Sequence, residues 1–136
     1  MFVCENPNIV SIAADRLGER CAPLVCTEGM PAAAQRALLS QLSDSGGRLR
    51  YHGDFDWPGL RIAGHVMRSW RAETWRFAAV DYEAAVAAAP PQRNPLAGPA
   101  VEAAWDTGLG AAMRRHGLSI PEEAVVATLL EDLRSR

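Results

Sequence analysis

Two aspartates, Asp54 and Asp56, stand one residue apart where a predicted strand ends and a helix begins, in the segment 53–59, which reads GDFDWPG. At the frayed end of a strand, an Asp-x-Asp pair can turn both carboxylates toward one hard cation. Gly53 permits close approach of the backbone, and Pro58 suits the first turn of a helix. The pattern predicts phosphate chemistry assisted by Mg²⁺, although Asp-x-Asp also occurs in structural turns and helix caps.

Glu5 is the third candidate, because it follows a short apolar run that predicts the first strand. It could complete a metal site with Asp54 and Asp56, or act as a general acid/base; the alternative is a carboxylate favoured by a helix dipole. Glu28 follows the second predicted strand in the same way. Crowded carboxylates without a metal repel one another, so at least one of them is expected to have a raised pKa.

A row of basic residues follows the aspartates on the next helix: Arg61, His65 and Arg68 fall at i, i+4 and i+7, with Arg71 nearby. Such a row could contact DNA phosphates, or it could be a solvated surface. Trp57 could stack on a base, or pack in the core.

The composition narrows the function classes. The 136 residues predict a single domain, 1–136, and the net charge of −2 gives no general attraction to nucleic acid, so any DNA contact requires a local basic face. All 14 basic residues are Arg, which excludes Walker-type phosphate loops and Schiff-base chemistry. The three cysteines form no C-x-x-C pair, and we expect a reduced cytoplasmic protein without zinc. No apolar stretch or signal segment predicts a membrane location.

Hydrophobic periodicity predicts an α/β fold, with a mainly parallel four-stranded sheet flanked by helices and a helical C-terminal part. In such sheets ligands bind at the carboxyl ends of the strands. The predicted strands are 2–4, 23–27, 48–53 and 73–80, and the helices between them start at Pro7, Pro31 and Pro58. Apolar stripes are predicted to face inward at Val10, Ala13, Ala14 and Leu17, at Ala34, Leu38 and Leu42, and at Ala63, Val66, Met67 and Trp70.

The remaining part, residues 81–136, is predicted to hold a loop and C-terminal helices. Residues 87–99, rich in Ala and Pro, predict a surface loop, and Asp106 is expected to cap a helix. Ser119 and Glu122 have the spacing of a capping box before the last helix. Glu122 and Glu123 are most simply assigned to that helix start, though one of them could reach the site as an additional acid.

Several separated motifs resemble the Toprim-like C-terminal domain of an uncharacterised bacterial family. They are CENP at 4–7, YHGDFDWPG at 51–59, Trp75-Arg76, Asp81-Tyr82, and the ending from Glu122-Glu123 to Leu133. That family is related to topoisomerase VI A subunits and to the Toprim nuclease subunit of Wadjet anti-plasmid systems. By the Toprim pattern, Glu5 matches the Glu after the first strand, and Asp54 and Asp56 match the metal-binding pair.

The resemblance implies DNA cleavage dependent on Mg²⁺ or Mn²⁺, in anti-plasmid defence or DNA maintenance. It also implies partners: DNA, a missing N-terminal domain, SMC-like ATPase subunits and a possible homodimer. Topoisomerase VI relatives carry a nucleophilic tyrosine on another domain, and neither Tyr51 nor Tyr82 matches it. Hydrolysis, or dependence on the missing N-terminal parts, is therefore expected rather than transesterification by this chain.

Two other functions fit the same residues. The first is a Toprim-shaped module that binds DNA or partner subunits without cutting. The second is a phosphatase of the haloacid dehalogenase kind, whose nucleophile also lies in an Asp-x-Asp, but whose lysine has no counterpart here.

Overall fold

The sheet is built from four short parallel strands in the order β2-β1-β3-β4. The structure is a computed structural model and describes residues 1–91 and 93–134. The strands are β1 (Phe2–Cys4), β2 (Leu24–Cys26), β3 (Arg50–Tyr51) and β4 (Glu73–Thr74). The predicted α/β class and parallel four-stranded sheet are confirmed, although β3 and β4 are much shorter than expected.

Six α-helices flank the sheet in the described part of the chain: α1 (Pro7–Leu17), α2 (Ala33–Asp44), α3 (Trp57–Trp70), α4 (Ala79–Ala88), α5 (Thr107–His116) and α6 (Val126–Leu133). A second, antiparallel pair joins β5 (Asn94–Pro95) to β6 (Leu118–Ser119). A 3-10 turn, Glu122–Val125, connects β6 to α6. No helix among the described residues combines the length and apolar character needed to cross a membrane.

Side-chain alternation along the strands separates two cores. Val3 packs into the larger core with α2, α3, α4 and α5, whereas Cys4 packs into a smaller core with α1 and α6. Successive strand residues point to opposite faces, so both faces of the central strand are buried. The sheet is therefore covered on both faces. Polar groups of the central strands can reach the surface at the strand ends, where Glu5 and Asp54 lie.

The helix stripes were predicted with mixed success. In α3, Ala63, Val66 and Trp70 are buried as expected. In α2, Leu42 packs against the larger core as expected. The rest of that stripe was wrong, since Leu39 is buried while Leu38 is 41% exposed, and Ala34 is exposed. In α1, Ile9 rather than Ala14 accompanies Ala13 and Leu17 in the core.

The prediction of a strand over 73–80 was wrong beyond Thr74. Arg76 adopts a left-handed backbone with φ 47°, which ends the extended conformation. The Asp81 carboxylate accepts the Ala78 N–H at 3.0 Å, and α4 begins at Ala79. Trp75 and Phe77 are both buried, but on opposite sides of the sheet rather than in a ladder.

Two further predictions in the second half were wrong. The start of the expected 87–99 loop belongs to α4, and residues 94–95 form β5. Ser119 is not a helix cap: it pairs with Asn94 in β6, and its hydroxyl donates to the Asn94 carbonyl at 3.3 Å. The cap at Asp106 is confirmed, since its carboxylate accepts the Gly108 N–H at 2.9 Å.

Candidate functional site

The acidic residues meet at the carboxyl edge of the sheet, beside the central strand β1. Glu5 immediately follows β1, and Asp54 follows β3, its neighbour. Strand β1 lies between β2 and β3, so the chain turns to opposite sides of β1 here. Such a switch point opens a crevice at the carboxyl ends of the strands, where α/β proteins bind their ligands.

Glu5 and Asp54 are joined by a direct hydrogen bond. The Asp54 N–H donates to Glu5 Oε2 at 2.9 Å, across 49 positions of sequence. Gly53 makes this contact possible, because a Cβ at that position would lie 2.9 Å from Glu5 Oε2 and 3.2 Å from Tyr51 Oη. The predicted need for a small residue before Asp54 therefore has a specific cause: the Glu5 carboxylate occupies the space.

The two aspartates have different local roles. Asp54 Oδ1 accepts the Glu122 N–H at 2.7 Å. Asp56 is the N-cap of α3, and its Oδ1 accepts the Gly59 N–H at 2.6 Å. The helix-cap interpretation of the Asp-x-Asp segment is confirmed for Asp56, which caps the helix that starts beside Glu5 and Asp54.

Glu122 is a fourth carboxylate at this edge, and it is fully buried. Its Oε1 accepts the Asn6 N–H at 2.8 Å and the Glu5 N–H at 3.1 Å. Its Oε2 lies 3.0 Å from Nδ1 of His52, which is also buried. Of the two glutamates, it is therefore Glu122 that reaches the acidic edge. His52, to which the sequence analysis gave no role in the site, is its side-chain partner.

Glu123 and Glu28 lie outside this cluster. Glu123 is exposed, and its Oε1 accepts hydrogen bonds from the side-chain amides of Asn6 and Asn8, at 2.5 and 3.3 Å. Glu28 is exposed too, and its carboxylate accepts a hydrogen bond from Gln35 at 3.3 Å. Its position after β2 does not bring it into contact with Glu5.

The site concentrates negative charge away from water. Burial, together with the charges of Asp54, Glu122 and Asp56, raises the pKa of Glu5 to about 7. Burial raises the pKa of Glu122 to about 8 and also raises that of Asp54. Burial lowers the pKa of His52 to about 3, so its ring is neutral beside Glu122. The expected raised pKa is confirmed, and the cause is chiefly desolvation, with repulsion second.

No arginine neutralises these groups within the described ranges. The ion pairs found there that include an arginine use Glu73, Glu83, Glu102, Glu131 and Asp132 as acids, which leaves Glu5, Asp54 and Asp56 out. Each of these three carboxylates keeps one oxygen, Oε1 or Oδ2, to which no described residue donates a hydrogen bond. Uncompensated carboxylate oxygens of this kind are the ligands that Mg²⁺ prefers.

The side chains do not form a finished coordination shell. Across residues 1–91 and 93–134, no group of three His, Cys, Asp or Glu side chains is arranged to hold a metal ion. The donor chemistry suits a hard cation, but the present rotamers point one oxygen of each carboxylate at a backbone amide. Binding a cation would require these side chains to change rotamer, with the backbone left in place.

The basic residues of α3 are spread along the whole helix. Arg61 lies in its first turns, near Asp56, and is exposed. Arg71 caps the opposite end, about 20 Å away at 1.5 Å per residue. Arg68 is exposed, whereas His65 is half-buried with its ring edge toward Trp70. Arg61 is thus the member nearest the carboxylates, and Trp57 is a core residue.

Sequence reasoning missed His52 and left Glu122 undecided. The pattern around Glu122 was read as a capping box, which is a local signal, whereas its partners lie 70 or more positions away. A buried glutamate leaves no periodic signature. Pro121 was the one local hint that Glu122 lies in a turn and not in a long helix. A proline ends the strand before it, and the turn that follows carries both glutamates.

Comparison with protein families gives one match. The model of the family described as "Protein of unknown function C-terminus (DUF2399)" matches residues 1–133. Comparison with curated proteins gives no match. Comparison with solved structures gives none either.

Proposed function

This chain belongs to the DUF2399 family, and we propose that it is a Toprim-like domain that cleaves DNA by Mg²⁺-dependent hydrolysis of a phosphodiester bond. The observation that carries the proposal is the contact between Glu5 and Asp54. Two acidic residues from separate strand ends meet at the switch point of a parallel sheet. Asp56, two residues after Asp54, is the N-cap of the adjoining helix α3. That is the arrangement of one Glu and an Asp-x-Asp that the Toprim resemblance implies.

Glu5, Asp54 and Asp56 are the residues that would hold Mg²⁺ or Mn²⁺. Their free carboxylate oxygens, and the absence of an arginine partner among residues 1–91 and 93–134, support this assignment. The chemistry that such a cation supplies is stabilisation of negative charge on a phosphodiester and activation of water. The raised pKa of Glu5, about 7, suits a group that gives or takes a proton near neutral pH.

DNA is proposed to lie across the start of α3. The N-terminus of that helix presents backbone N–H groups and a partial positive charge beside Asp56. Arg61 is the side chain best placed to contact a phosphate near the carboxylates, and Arg68 can extend the contact along the helix. His65 and Arg71 are weaker members of this surface, because one is half-buried and the other lies at the far end.

A second function, a non-cutting module that binds DNA or partner subunits, is favoured by one observation. The carboxylates are satisfied by backbone amides, and no ready coordination shell exists among the described residues. In that case the acidic edge holds loops together rather than a metal. The wider setting proposed from the resemblance is common to both functions: bacterial anti-plasmid defence or DNA maintenance in the cytoplasm, with an N-terminal domain and SMC-like ATPase subunits as partners.

The test is nicking of supercoiled plasmid by the purified chain, with Mg²⁺, with Mn²⁺ and with EDTA. We expect metal-dependent nicking that falls at least 100-fold in Asp54→Asn and in Glu5→Gln. These variants are preferable to alanine because an amide oxygen still accepts the Glu122 N–H or the Asp54 N–H that each carboxylate now accepts. Asp44→Asn, on the exposed end of α2, is the matched control and should cut as the wild type does.

Other outcomes separate the alternatives. DNA binding that is equal with Mg²⁺ and EDTA, with no nicking under any condition, would support the non-cutting module. Metal-dependent hydrolysis of a phosphomonoester such as p-nitrophenyl phosphate, without nicking, would support a phosphatase. Arg61→Ala should weaken DNA binding and leave metal binding intact, which distinguishes the DNA surface from the metal site.

A further inference from the structure

Glu122 connects the two loops that carry the candidate metal ligands. Its carboxylate accepts the backbone N–H groups of Glu5 and Asn6, which lie after β1. Its own backbone N–H donates to Asp54 Oδ1 at 2.7 Å, after β3. One residue thus holds both strand ends at once, through its side chain on one side and its main chain on the other.

The contacts of Glu122 are themselves fixed by a neighbour on each side. His52 Nδ1 contacts Oε2 at 3.0 Å, and both side chains are almost fully excluded from solvent. Ile120, two residues earlier, forms an antiparallel bridge with Phe55, with backbone hydrogen bonds of 2.9 and 3.1 Å. A buried and hydrogen-bonded carboxylate of this kind has one accessible rotamer, because any other leaves a buried polar group without a partner.

The C-terminal helix anchors this segment to the rest of the sheet. Asp132 of α6 accepts hydrogen bonds from Trp75 Nε1 at 2.8 Å and from Arg76 Nε at 2.5 Å. The Ala22 N–H donates to the Leu133 carbonyl at 2.7 Å. The segment from Ile120 to Leu133 is therefore tied to β1, β3 and the residues after β4.

We propose that Glu122 is a positioning residue for the metal site: it holds the loops that carry Glu5 and Asp54 next to each other, so that both side chains can reach one divalent cation. The site is then completed by the C-terminal segment, and not by the sheet and its Asp-x-Asp loop alone. This inference rests on the proposed function for the identity of the ligand, but the clamp itself is a property of the described contacts. Glu122 need not touch the cation.

The first arm of the test measures the clamp without any metal. Amide hydrogen exchange is followed by NMR in the full chain at Glu5 and Asn6. In the wild type we expect the Asn6 amide to be protected, and in Glu122→Ala to exchange at least tenfold faster. Glu123→Ala is the matched control, because the carboxylate of this neighbouring glutamate accepts hydrogen bonds from the side chains of Asn6 and Asn8 and from no described backbone amide. Its Asn6 backbone amide should keep wild-type protection.

Glu122→Gln separates shape from charge. A glutamine can accept the Glu5 and Asn6 N–H groups through its carbonyl oxygen and donate from its amide nitrogen to His52 Nδ1. We expect wild-type exchange at Asn6 and a His52 ring with its proton on Nε2, read from the ¹⁵N shifts of the imidazole. This variant also serves if Glu122→Ala fails to fold.

The second arm measures Mn²⁺ affinity by titration in the same variants. Glu122→Ala should bind Mn²⁺ at least tenfold more weakly, and Glu123→Ala within threefold of the wild type. Leu39→Ala removes a buried side chain of α2 in the larger core, away from the C-terminal segment that carries Glu122, and it is the control for stability alone. It should leave the affinity of the folded protein unchanged.

The outcomes that overturn the clamp are specific. Unchanged Asn6 exchange in a folded Glu122→Ala, or unprotected Asn6 in the wild type, would show that Glu122 holds nothing in place. Equal loss of Mn²⁺ affinity in Glu122→Ala and Leu39→Ala would reduce Glu122 to a general stabiliser. A wild type that binds no Mn²⁺, yet shows the expected exchange pattern, would overturn the proposed metal function and leave the clamp standing.

Discussion

Glu5 and Glu122 are carboxyl groups whose ionised forms are disfavoured by the fold. Glu122 is fully buried and Glu5 is half-buried, and for both the energy of placing a charge there exceeds what their backbone hydrogen bonds return. The molecule keeps them because their oxygens organise the backbone of two loops. Groups arranged in this way are typical of sites where a cation or a proton transfer relieves the charge.

The pH dependence of stability follows chiefly from these two groups. His52 acts in the opposite direction below pH 6.5, because its pKa in the folded state, about 3, lies under the ordinary 6.5. The pKa values of Glu5 and Glu122 in the folded state, about 7 and about 8, exceed the ordinary 4.5, so the folded state binds protons more tightly than the unfolded state between pH 4.5 and 8. The free energy of unfolding should therefore be higher at pH 5 than at pH 8, by on the order of a few kcal/mol. Urea unfolding in EDTA at the two pH values measures this difference.

The Glu122→Gln variant provides the control for that measurement. It removes one of the two titrating groups and should make the difference between pH 5 and pH 8 smaller. Stability that is equal at the two pH values, or higher at pH 8, would contradict the assignment of buried, protonated carboxyl groups. Mg²⁺ should raise the stability at pH 8 if a cation binds the ionised site.

At the level of elements, the junction between β3 and α3 is the most constrained part of the chain. Its seven residues, 53–59, place Gly53 against the Glu5 carboxylate and the Asp54 carboxylate against the Glu122 N–H. They also place Asp56 at the N-terminus of α3 and Gly59 in the first turn of that helix. A Cβ on Gly59 would lie 2.1 Å from the Asp54 carbonyl oxygen. Only glycine allows the helix to begin this close to the acidic loop.

Two glycines of α3 give a matched pair of substitutions. Gly59→Ala should destabilise the fold by about 2 kcal/mol or more, because the obstructing atom is backbone and cannot move away. Gly64→Ala should be tolerated, and can gain up to about 1 kcal/mol of helix propensity. There the nearest atom, 2.9 Å away, is the end of the flexible Arg68 side chain.

Thermal and urea unfolding of both variants measures the difference. A Gly59→Ala protein as stable as the wild type would mean that α3 starts further from the Asp54 carbonyl than described. A Gly64→Ala protein with a loss as large as that of Gly59→Ala would mean that Arg68 is held rigidly over the helix. The contrast between the two, rather than either value, tests the geometry of the junction.

In the whole molecule, the two faces of the sheet have different tasks. The larger core, with α2 to α5, contains most of the aromatic residues. The smaller core joins α1 to α6 through Ile9, Leu129 and Leu133. Helix α6 follows the 3-10 turn that begins at Glu122. The packing of α6 in the smaller core therefore helps to hold Glu122 at the acidic edge.

Leu129→Ala is expected to cost about 2–5 kcal/mol, because the residue is 0% exposed and the cavity would lie between α1 and α6. Ala127→Ser, on the exposed side of the same helix, should change stability by less than 1 kcal/mol. Urea unfolding of the two variants tests this. A small loss in Leu129→Ala would show that α6 is a peripheral element and that the acidic edge stands without it.

Local signals in the sequence were enough to predict the α/β class and the parallel sheet. They also predicted that Glu5, Asp54 and Asp56 lie at the same edge of that sheet. These predictions depend on apolar runs of strand length, helix stripes, and acidic residues at strand ends, whose convergence follows from the geometry of parallel sheets. The stripe of α3 and the cap at Asp106 were predictable for the same reason. Each is a pattern within one element.

Three features became clear only in the folded chain. They are the contact between Glu122 and His52, the residue at which α4 begins, and the choice of Leu39 over Leu38 on the buried face of α2. Tyr82 and Val86, four residues apart and buried, carried a helical stripe that the alanines around them concealed. Leu38 and Leu39 are equally apolar, so only packing against α3 selects Leu39. Glu122 reads as a helix-start residue until the fold brings the backbone of Glu5 and Asn6 to its oxygens. A buried polar contact depends on partners distant in sequence, and no local pattern encodes them.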